Sequence, residues 1–418
     1  MALPNNLDRK SPPAGRKVCM LAYSFYESDN RIMRYARALV ERGDQVDVIA
    51  LGSDEKQPAF EIVEGVNVHR LQFRQRDEKN KYDYLYRLTK FCAKSAIFLS
   101  RLHSKKKFDL VHVHNVPDFL VFSAWLPKLT GAKIILDLHD ILPEFFANKF
   151  CKPENSFPVK LLKFVEWISA HFANHVIISN HLWFDKITAR SASKEKCSVF
   201  INYVDPEIFG CKRTRNDKKF VMLYHGGLQR HQGLDVAIRA FAKISPQKPE
   251  AEFHIYGGGN MKPELQALAG ELKLTGKVIF FESVTMRQIA GIVANADLGI
   301  VAKRADSFGN EAYSTKIMEF MAAEVPVIVS KTKVDEFYFN DSVVRFFESG
   351  NENDLAAAML ELMENRALRE NLVRNANAYV ARNNWNVKKH EYTRLVDSLI
   401  CSTEFQSAGQ VKNSAVCP

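Results

Sequence analysis

The stretch Lys17–Leu51, KVCMLAYSFYESDNRIMRYARALVERGDQVDVIAL, sets the architecture. Lys17–Tyr23 is a short apolar run and reads as a strand. Beyond a polar loop, Ile32, Tyr35, Ala36, Leu39 and Val40 recur at helical spacing and share one face. Gly43 then supplies a C-terminal cap, and Val46–Leu51 reads as a second strand. Strand, helix and strand in so few residues imply a parallel βαβ unit.

The same alternation continues outward. Further strands are predicted at Asn67–Leu71, Leu110–His114, Lys133–Leu138, His175–Ser179 and Ser198–Asn202. Gly210–Lys219 (GCKRTRNDKK) is charged and aperiodic, which suits a linker between domains. The pattern restarts with strands at Phe220–Tyr224, Glu252–Tyr256, Lys277–Phe281, Leu298–Val301 and Val325–Ser330, and with helices such as Leu234–Ile244 and Met286–Ala294. The fold class is therefore α/β, with two Rossmann-like, doubly wound domains facing across a cleft. The expected division is a disordered N-terminus at 1–14, an N-terminal domain at 15–209, a linker at 210–219 and a second domain at 220–386. A C-terminal helix at 387–402, open as to which domain it packs on, precedes a disordered tail at 403–418.

Composition bounds the rest. A chain of 418 residues is long enough for two cores, and 46% hydrophobic with 25% charged residues is ordinary for a globular protein. The seven cysteines show no CxxC pair and no dense spacing, so they read as reduced thiols. Neither a signal core nor an apolar run of the ~20 residues a membrane span needs is present, which gives a cytoplasmic expectation, with peripheral contact on the inner membrane face as an option. The net charge of +10 is concentrated in the first half. It admits an anionic partner, but no basic module suited to nucleic acid is apparent.

In open parallel sheets, ligands bind beyond the carboxyl ends of the strands. The richest segment there is Asn310–Ser330, NEAYSTKIMEFMAAEVPVIVS. Ser314 and Thr315 are good N-caps, so a helix is expected to start near Lys316. Its free N–H groups and dipole favour an anion, and Lys316 adds a full positive charge. This is a seat for a diphosphate, with Glu319 one turn inside, placed to accept both hydroxyls of a ribose. Glu311 is expected to point into the cleft. The bland alternative is a surface helix with one Lys–Glu pair.

Two glutamates in this spacing, with Lys316 between them and AxxVPVIVS after, resemble the retaining family-4 glycosyltransferases of the GT-B fold. The resemblance runs from about residue 17 to 400. SDNRIMRYARALVERGDQVDVIAL is similar to the family's first βαβ unit, and FDLVHVHN with AKIILDLHDILPEFF to its fourth and fifth strands. FANHVIISN and INYVDPEIF resemble the approach to the interdomain crossing, and LYHGGLQRHQGLDVAIRAF the opening of the donor domain. The resemblance implies a transferase (hexosyltransferase type) acting on a UDP- or GDP-sugar, with no cofactor and no required metal. It implies that Glu319 holds the donor ribose, that Glu311 contacts the donor sugar, and that Ser314, Thr315 and Lys316 surround the diphosphate. His139 would reach the sugar from the first domain, with Asp140 orienting that histidine or the acceptor. Gly226 and Gly227 belong to the donor loop. Where the family often carries an arginine and a lysine, this chain has Gly227 and Gln232, so Arg230 is the expected substitute cation. The family's first loop is commonly Gly-Gly rich. Ser24–Arg31 has no glycine, and Asp29 and Arg31 are assigned to the acceptor instead. The acceptor expected by analogy is a glycan or a lipid-linked intermediate of bacterial surface polysaccharide.

Lys81–Lys107 mixes Tyr82, Tyr86, Phe91 and Phe98 with basic residues. This reads either as a helix resting on anionic lipid or as a core helix with a solvated basic edge. Other readings compete. His112 and His114 share a strand face, and His139 with Asp140 follows on a neighbouring strand, as a metallohydrolase site would require. A nucleotide-sugar epimerase or hydrolase uses the same fold. A non-catalytic glycan-assembly subunit would tolerate the missing basic pair.

Overall fold

The computed structural model describes residues 15–54, 56–73, 81–150 and 152–401. The termini expected to be disordered, 1–14 and 403–418, lie outside these residues. The first half comprises β1 (Lys17–Phe25), α1 (Asn30–Glu41), β2 (Gln45–Gly52), β3 (Phe60–Val63), β4 (Val66–Phe73), α2 (Lys81–Lys106), β5 (Leu110–His114), α3 (Trp125–Leu129), β6 (Lys133–Leu138), α4 (Leu142–Lys149), α5 (Phe157–Phe172), β7 (His175–Ile178), α6 (His181–Arg190) and β8 (Cys197–Val199). Its eight strands form one sheet in the order β3-β4-β2-β1-β5-β6-β7-β8. All neighbours are parallel except β3, which turns back on β4.

Alternation along the strands explains the layers. Val18, Met20 and Ala22 lie in one apolar cluster with Ile32, Tyr35 and Leu39 of α1. The intervening Cys19, Leu21 and Tyr23 lie in another, with Leu88, Phe91 and Leu99 of α2, Ala170 of α5 and Ile187 of α6. Residues of opposite parity on a strand face opposite ways, so α1 covers one side and α2, α5 and α6 the other. Right-handed crossovers demand the same arrangement, since β1→β2 and β5→β6→β7 run in opposite directions across the sheet.

The second half comprises α7 (Pro206–Phe209), β9 (Phe220–His225), α8 (Leu234–Ile244), β10 (Ala251–Tyr256), α9 (Lys262–Glu271), β11 (Val278–Phe281), α10 (Met286–Ala294), β12 (Leu298–Val301), α11 (Thr315–Ala322), β13 (Val327–Ser330), α12 (Lys333–Tyr338), β14 (Arg345–Phe347), α13 (Glu352–Glu364), α14 (Arg366–Arg382) and α15 (Trp385–Ile400). The six strands are parallel, in the order β11-β10-β9-β12-β13-β14. Two Rossmann-like domains result. Between α7 and β9 the chain has no helix or strand, and Arg213 and Arg215 tie it to Asp297.

α15 returns to the first domain. Arg42, just after α1, bonds Asp397 and the Thr393 carbonyl, and Lys389 pairs with Glu41. Tyr392, fully buried, packs tilted on Tyr35 with ring centroids 4.3 Å apart, and its hydroxyl meets His112 Nδ1 at 3.0 Å. α2 packs one face on the core and leaves Tyr86 and Ile97 outside. Phe91 is buried, Phe98 packs on His69, and the basic residues line its outer edge.

Candidate active site

The loop after β9 and the start of α11 meet at the carboxyl ends of the second sheet. α11 is held down by Ile317, Met318, Phe320 and Met321, all buried. It begins at Thr315, one residue before the expected start. Ser314 occupies the N-cap position, but its side chain makes no capping bond and its buried Oγ has no partner among the described residues. Lys316 leaves the first turn and lies across Gly226. That glycine has φ +123°, and a Cβ there would sit 2.5 Å from Lys316 Cε. Only glycine suits both the backbone angle and the close approach. Lys316 Nζ stands 5.4 Å from the Tyr224 ring centroid and 3.4 Å from Gln232 Oε1. The Tyr224 hydroxyl in turn donates to the Gly227 carbonyl at 2.7 Å. Gln232, where the resemblance calls for a cation, thus accepts from a cation supplied by the neighbouring helix.

The electrostatics of this corner are those of a dry site. Burial pulls the Lys316 ammonium below its ordinary value, partly offset by Glu319. Burial pushes the Glu319 carboxyl up to about 7, against the opposing pull of Lys316. His225 Nε2 lies 3.4 Å from Glu319 Oε2, and burial, then Lys316, brings that imidazole down to about 3. A neutral histidine, a buried carboxyl and a desolvated lysine surround the first turn of α11. Such a set gains most from an anion with hydroxyls beside it.

Between the domains runs a cavity of about 450 Å³. It brings together five of the sequence candidates: Asp29, Arg31, His139, Thr315 and Glu319. Asn115 fixes His139 and Asp140 by accepting from both of their N–H groups, at 3.0 and 3.3 Å, and donating to the Asp140 carbonyl at 2.6 Å. His139 also accepts at its carbonyl from Ser179 Oγ. Its Nδ1 is buried and has no partner among the described residues. The backbone is therefore fully engaged, and one ring nitrogen stays enclosed and unpaired. The Asp140 carboxyl is raised by burial, and it does not line the cavity.

Several candidates stand differently from expectation. Arg31 does not offer its guanidinium to an acceptor. It grips both oxygens of Asp137 at 2.7 Å and also bonds the Phe200 carbonyl and Asn202. α1 begins at Asn30, so Arg31 turns inward to neutralise a carboxylate with no exposure. Asp29 caps α1 by accepting from Ile32 N at 3.3 Å and keeps its place in the cavity wall. Glu311 crosses the cleft, but Lys186 of α6 holds both of its oxygens at 2.7 Å, and Asn180 donates to its carbonyl. Arg230 is exposed, and its side chain makes no hydrogen bond or ion pair among the described residues. Next to it, His231 packs edge-on against Phe308 at 5.3 Å. A Cβ at Gly227 would meet Gln229 Cγ at 3.8 Å, an ordinary contact.

The metal reading meets a different grouping. His112, His114 and Asp137 approach one another, and His139 and Asp140 stand outside the group. Burial raises the Asp137 carboxyl, but Arg31 and the two histidines outweigh it and hold it well below the ordinary range. With both oxygens committed to Arg31, this cluster is a buried ion-pair knot tying α1 to the sheet. Sequence reading also missed Lys186, Asn180 and Arg34. Arg34 is buried, bonds Asn202 and the Tyr203 carbonyl, and acts electrostatically on Glu319. A signal for it existed: Arg31, Arg34 and Arg37 recur every third residue of α1, on one side of the helix beside its apolar face.

Residues 28–202 match the model of the glycosyl transferase 4-like domain, and residues 209–379 that of glycosyl transferases group 1. An uncharacterized glycosyltransferase of Methanocaldococcus jannaschii is 25% identical over 319 residues, covering 71% of this chain and 74% of its own. The N-acetylgalactosamine-N,N'-diacetylbacillosaminyl-diphospho-undecaprenol 4-alpha-N-acetylgalactosaminyltransferase of Campylobacter jejuni is 26% identical over 44% of this chain and 49% of its own. In structure, Anabaena HepE in complex with UDP-glucose superposes with a TM-score of 0.68 at 16% identity, over 92% of this chain and 100% of that one. At that identity the likeness speaks for the fold.

Proposed function

Since this chain is a glycosyltransferase of the GT-B fold, we propose that it moves a sugar from a nucleoside-diphosphate donor to a lipid-linked glycan, with retention at the anomeric carbon. One observation carries the reading: Lys316 lies over Gly226 at the open start of α11, with Glu319 one turn deeper. The diphosphate is assigned to the α11 N–H groups and Lys316, with exposed Arg230 beside it, and the ribose hydroxyls to Glu319. His139, which lines the cavity, is assigned to a hydroxyl of the donor sugar. As the bond from the anomeric carbon to the phosphate oxygen breaks, negative charge grows on the phosphate, where the preorganised donors stabilise it. The acceptor oxygen bonds the anomeric carbon on the same face, and its proton passes to the departing phosphate. This assignment calls on no cofactor. UDP is the preferred nucleotide because HepE, of the same fold, holds it. The diphospho-undecaprenol substrate named for the Campylobacter relative supports a lipid-linked acceptor and a place against the membrane. No helix among the described residues is long and apolar enough to cross a membrane.

The test is a thermal-shift screen of UDP- and GDP-sugars on the wild-type chain and on Lys316→Met, because a ligand bound only to the folded state raises its melting temperature. The proposal expects a shift with one donor class that is lost in the variant. A wild-type chain that responds to no nucleotide sugar refutes it.

A further inference from the structure

α5 is built inside out. Its inward face carries Val159, Ser169, Ala170 and Glu166, a carboxylate that Arg190 and Ser191 clamp at 2.5–2.8 Å. Its outward face carries Phe157, Leu161, Phe164 and Trp167, exposed by 78, 49, 55 and 42%. These positions recur every three or four residues and make one apolar stripe along the helix. The Phe164 and Trp167 rings stack 6.0 Å apart, so the stripe is ordered among its own members. Core packing does not explain it, since the face turned to the sheet is the one with the charge.

The stripe belongs to a layer. α2, α3 and α5 cover the same side of the first sheet, and each leaves large apolar side chains outside: Tyr86 and Ile97 on α2, Trp125 and Leu129 on α3. Two of the chain's four tryptophans are among them. The three helices also carry ten Lys and Arg residues against two acids. One acid, Asp83, is paired with Arg87, and the other is the clamped Glu166. Lys106 is paired with Asp47 and Lys163 with Glu154, whereas Lys90, Arg101, Lys105 and Lys160 are exposed and have no carboxylate partner among the described residues. Aromatic side chains set among such cations match an anionic bilayer, where rings enter the headgroup boundary and ammonium groups meet lipid phosphates. A second copy of this chain would bring like charges face to face.

The layer reaches the cleft. α4 precedes α5 directly, and at its outer end Phe145 packs on Phe308 at 5.4 Å while Asn148 bonds Ser307 across the domains. Arg190 ties Glu144 of α4 to Glu166 of α5, so the two helices form one unit. We propose that the exposed apolar stripe of α5, continued by α3 and the basic edge of α2, docks the protein on an anionic membrane with the cleft mouth beside the lipid surface. This rests on the lipid-linked acceptor proposed above and assigns its delivery to the α4–α5 unit.

The experiment uses the full chain with two sets of extruded vesicles, phosphatidylcholine alone and phosphatidylcholine with about 30% phosphatidylglycerol. The wild type is expected to co-sediment with the anionic set, to show a blue-shifted tryptophan emission there, and to release in high salt. The double variant Phe164→Glu, Trp167→Glu is expected to lose roughly tenfold or more in partitioning. Phe60→Glu, an equally exposed substitution on β3, should leave partitioning unchanged. Melting temperature and nucleotide-sugar binding, read in the same samples, establish that the double variant is folded and that the donor site is intact. Equal binding of wild type and double variant to anionic vesicles overturns the proposal, as does no vesicle binding by a wild type that still binds donor. Light scattering that finds a wild-type dimer abolished in the double variant overturns it too, in favour of a self-interface. Loss of donor binding in the wild type would instead strike the proposed function.

Discussion

Glu319 offers a quantitative handle on the donor site. Its carboxyl is buried and raised to about 7, yet the proposed role, accepting two ribose hydroxyls, needs the carboxylate. A raised carboxyl pKa means the folded chain holds this proton more tightly than the unfolded one, whose glutamate titrates near 4.3. The stability contributed is therefore present below the unfolded value and is lost as pH rises through about 7. Ionising Glu319 in the empty site costs on the order of 3 kcal/mol, which bound hydroxyls offset. Only the ionised fraction is competent, about one tenth at pH 6 and nine tenths at pH 8, so donor affinity should rise roughly tenfold between them. His225, at about 3, does not titrate in that window. The assay is calorimetric titration with a nucleotide sugar, whose diphosphate diester does not itself titrate there. Glu319→Gln should bind more weakly and show no such slope. A wild-type affinity that is flat or falls from pH 6 to 8, or a slope that survives in Glu319→Gln, refutes the reasoning.

Four further outcomes follow from the same geometry. Lys186→Met removes the partner with which a donor sugar must compete for Glu311. A half-exposed pair of this kind is worth about 0.2–1 kcal/mol, so KM for the nucleotide sugar should fall a few-fold while affinity for the nucleotide alone stays put. Asp137→Ala leaves Arg31 buried without its counter-charge and should cost roughly 3–5 kcal/mol, seen in urea unfolding; an unchanged midpoint would contradict the knot. Gly226→Ala forces both the backbone angle and Lys316 and should weaken nucleotide binding about tenfold, with ~1–3 kcal/mol of strain; wild-type affinity would disprove the packing. Arg230→Ala should reduce transfer more than His231→Ala, because the arginine is uncommitted while the histidine packs on Phe308; kinetics giving the reverse order would move the accessory cation.

What the sequence made legible was governed by burial. β5, β6 and β12 coincide with their expected bounds, being short apolar runs enclosed by the fold, and α8 and α10 coincide because their buried faces recur at helical spacing. β3 escaped because it is four residues long and Phe60, Glu61 and Ile62 are all exposed at a sheet edge, too short a run to stand out. β14 is only three residues long. The donor segment could be read locally, since Gly226, Lys316 and Glu319 each sit where a strand ends or a helix begins. Contacts made across the fold could not: Lys186 meets Glu311 over 125 positions, and Arg31 meets Asp137 over 106. Nor does periodicity say which face of a helix turns inward. On that account the pattern of α2 admits both a lipid-facing and a core-facing reading, while the stripe on α5 passes unremarked.

A crystal of the chain with its nucleotide sugar examines the central claim at the atoms concerned. The account predicts phosphate oxygens about 3 Å from Lys316 Nζ and from the first N–H groups of α11, with the ribose hydroxyls on Glu319. A nucleotide bound away from α11, with Lys316 still resting on Gln232, would contradict it.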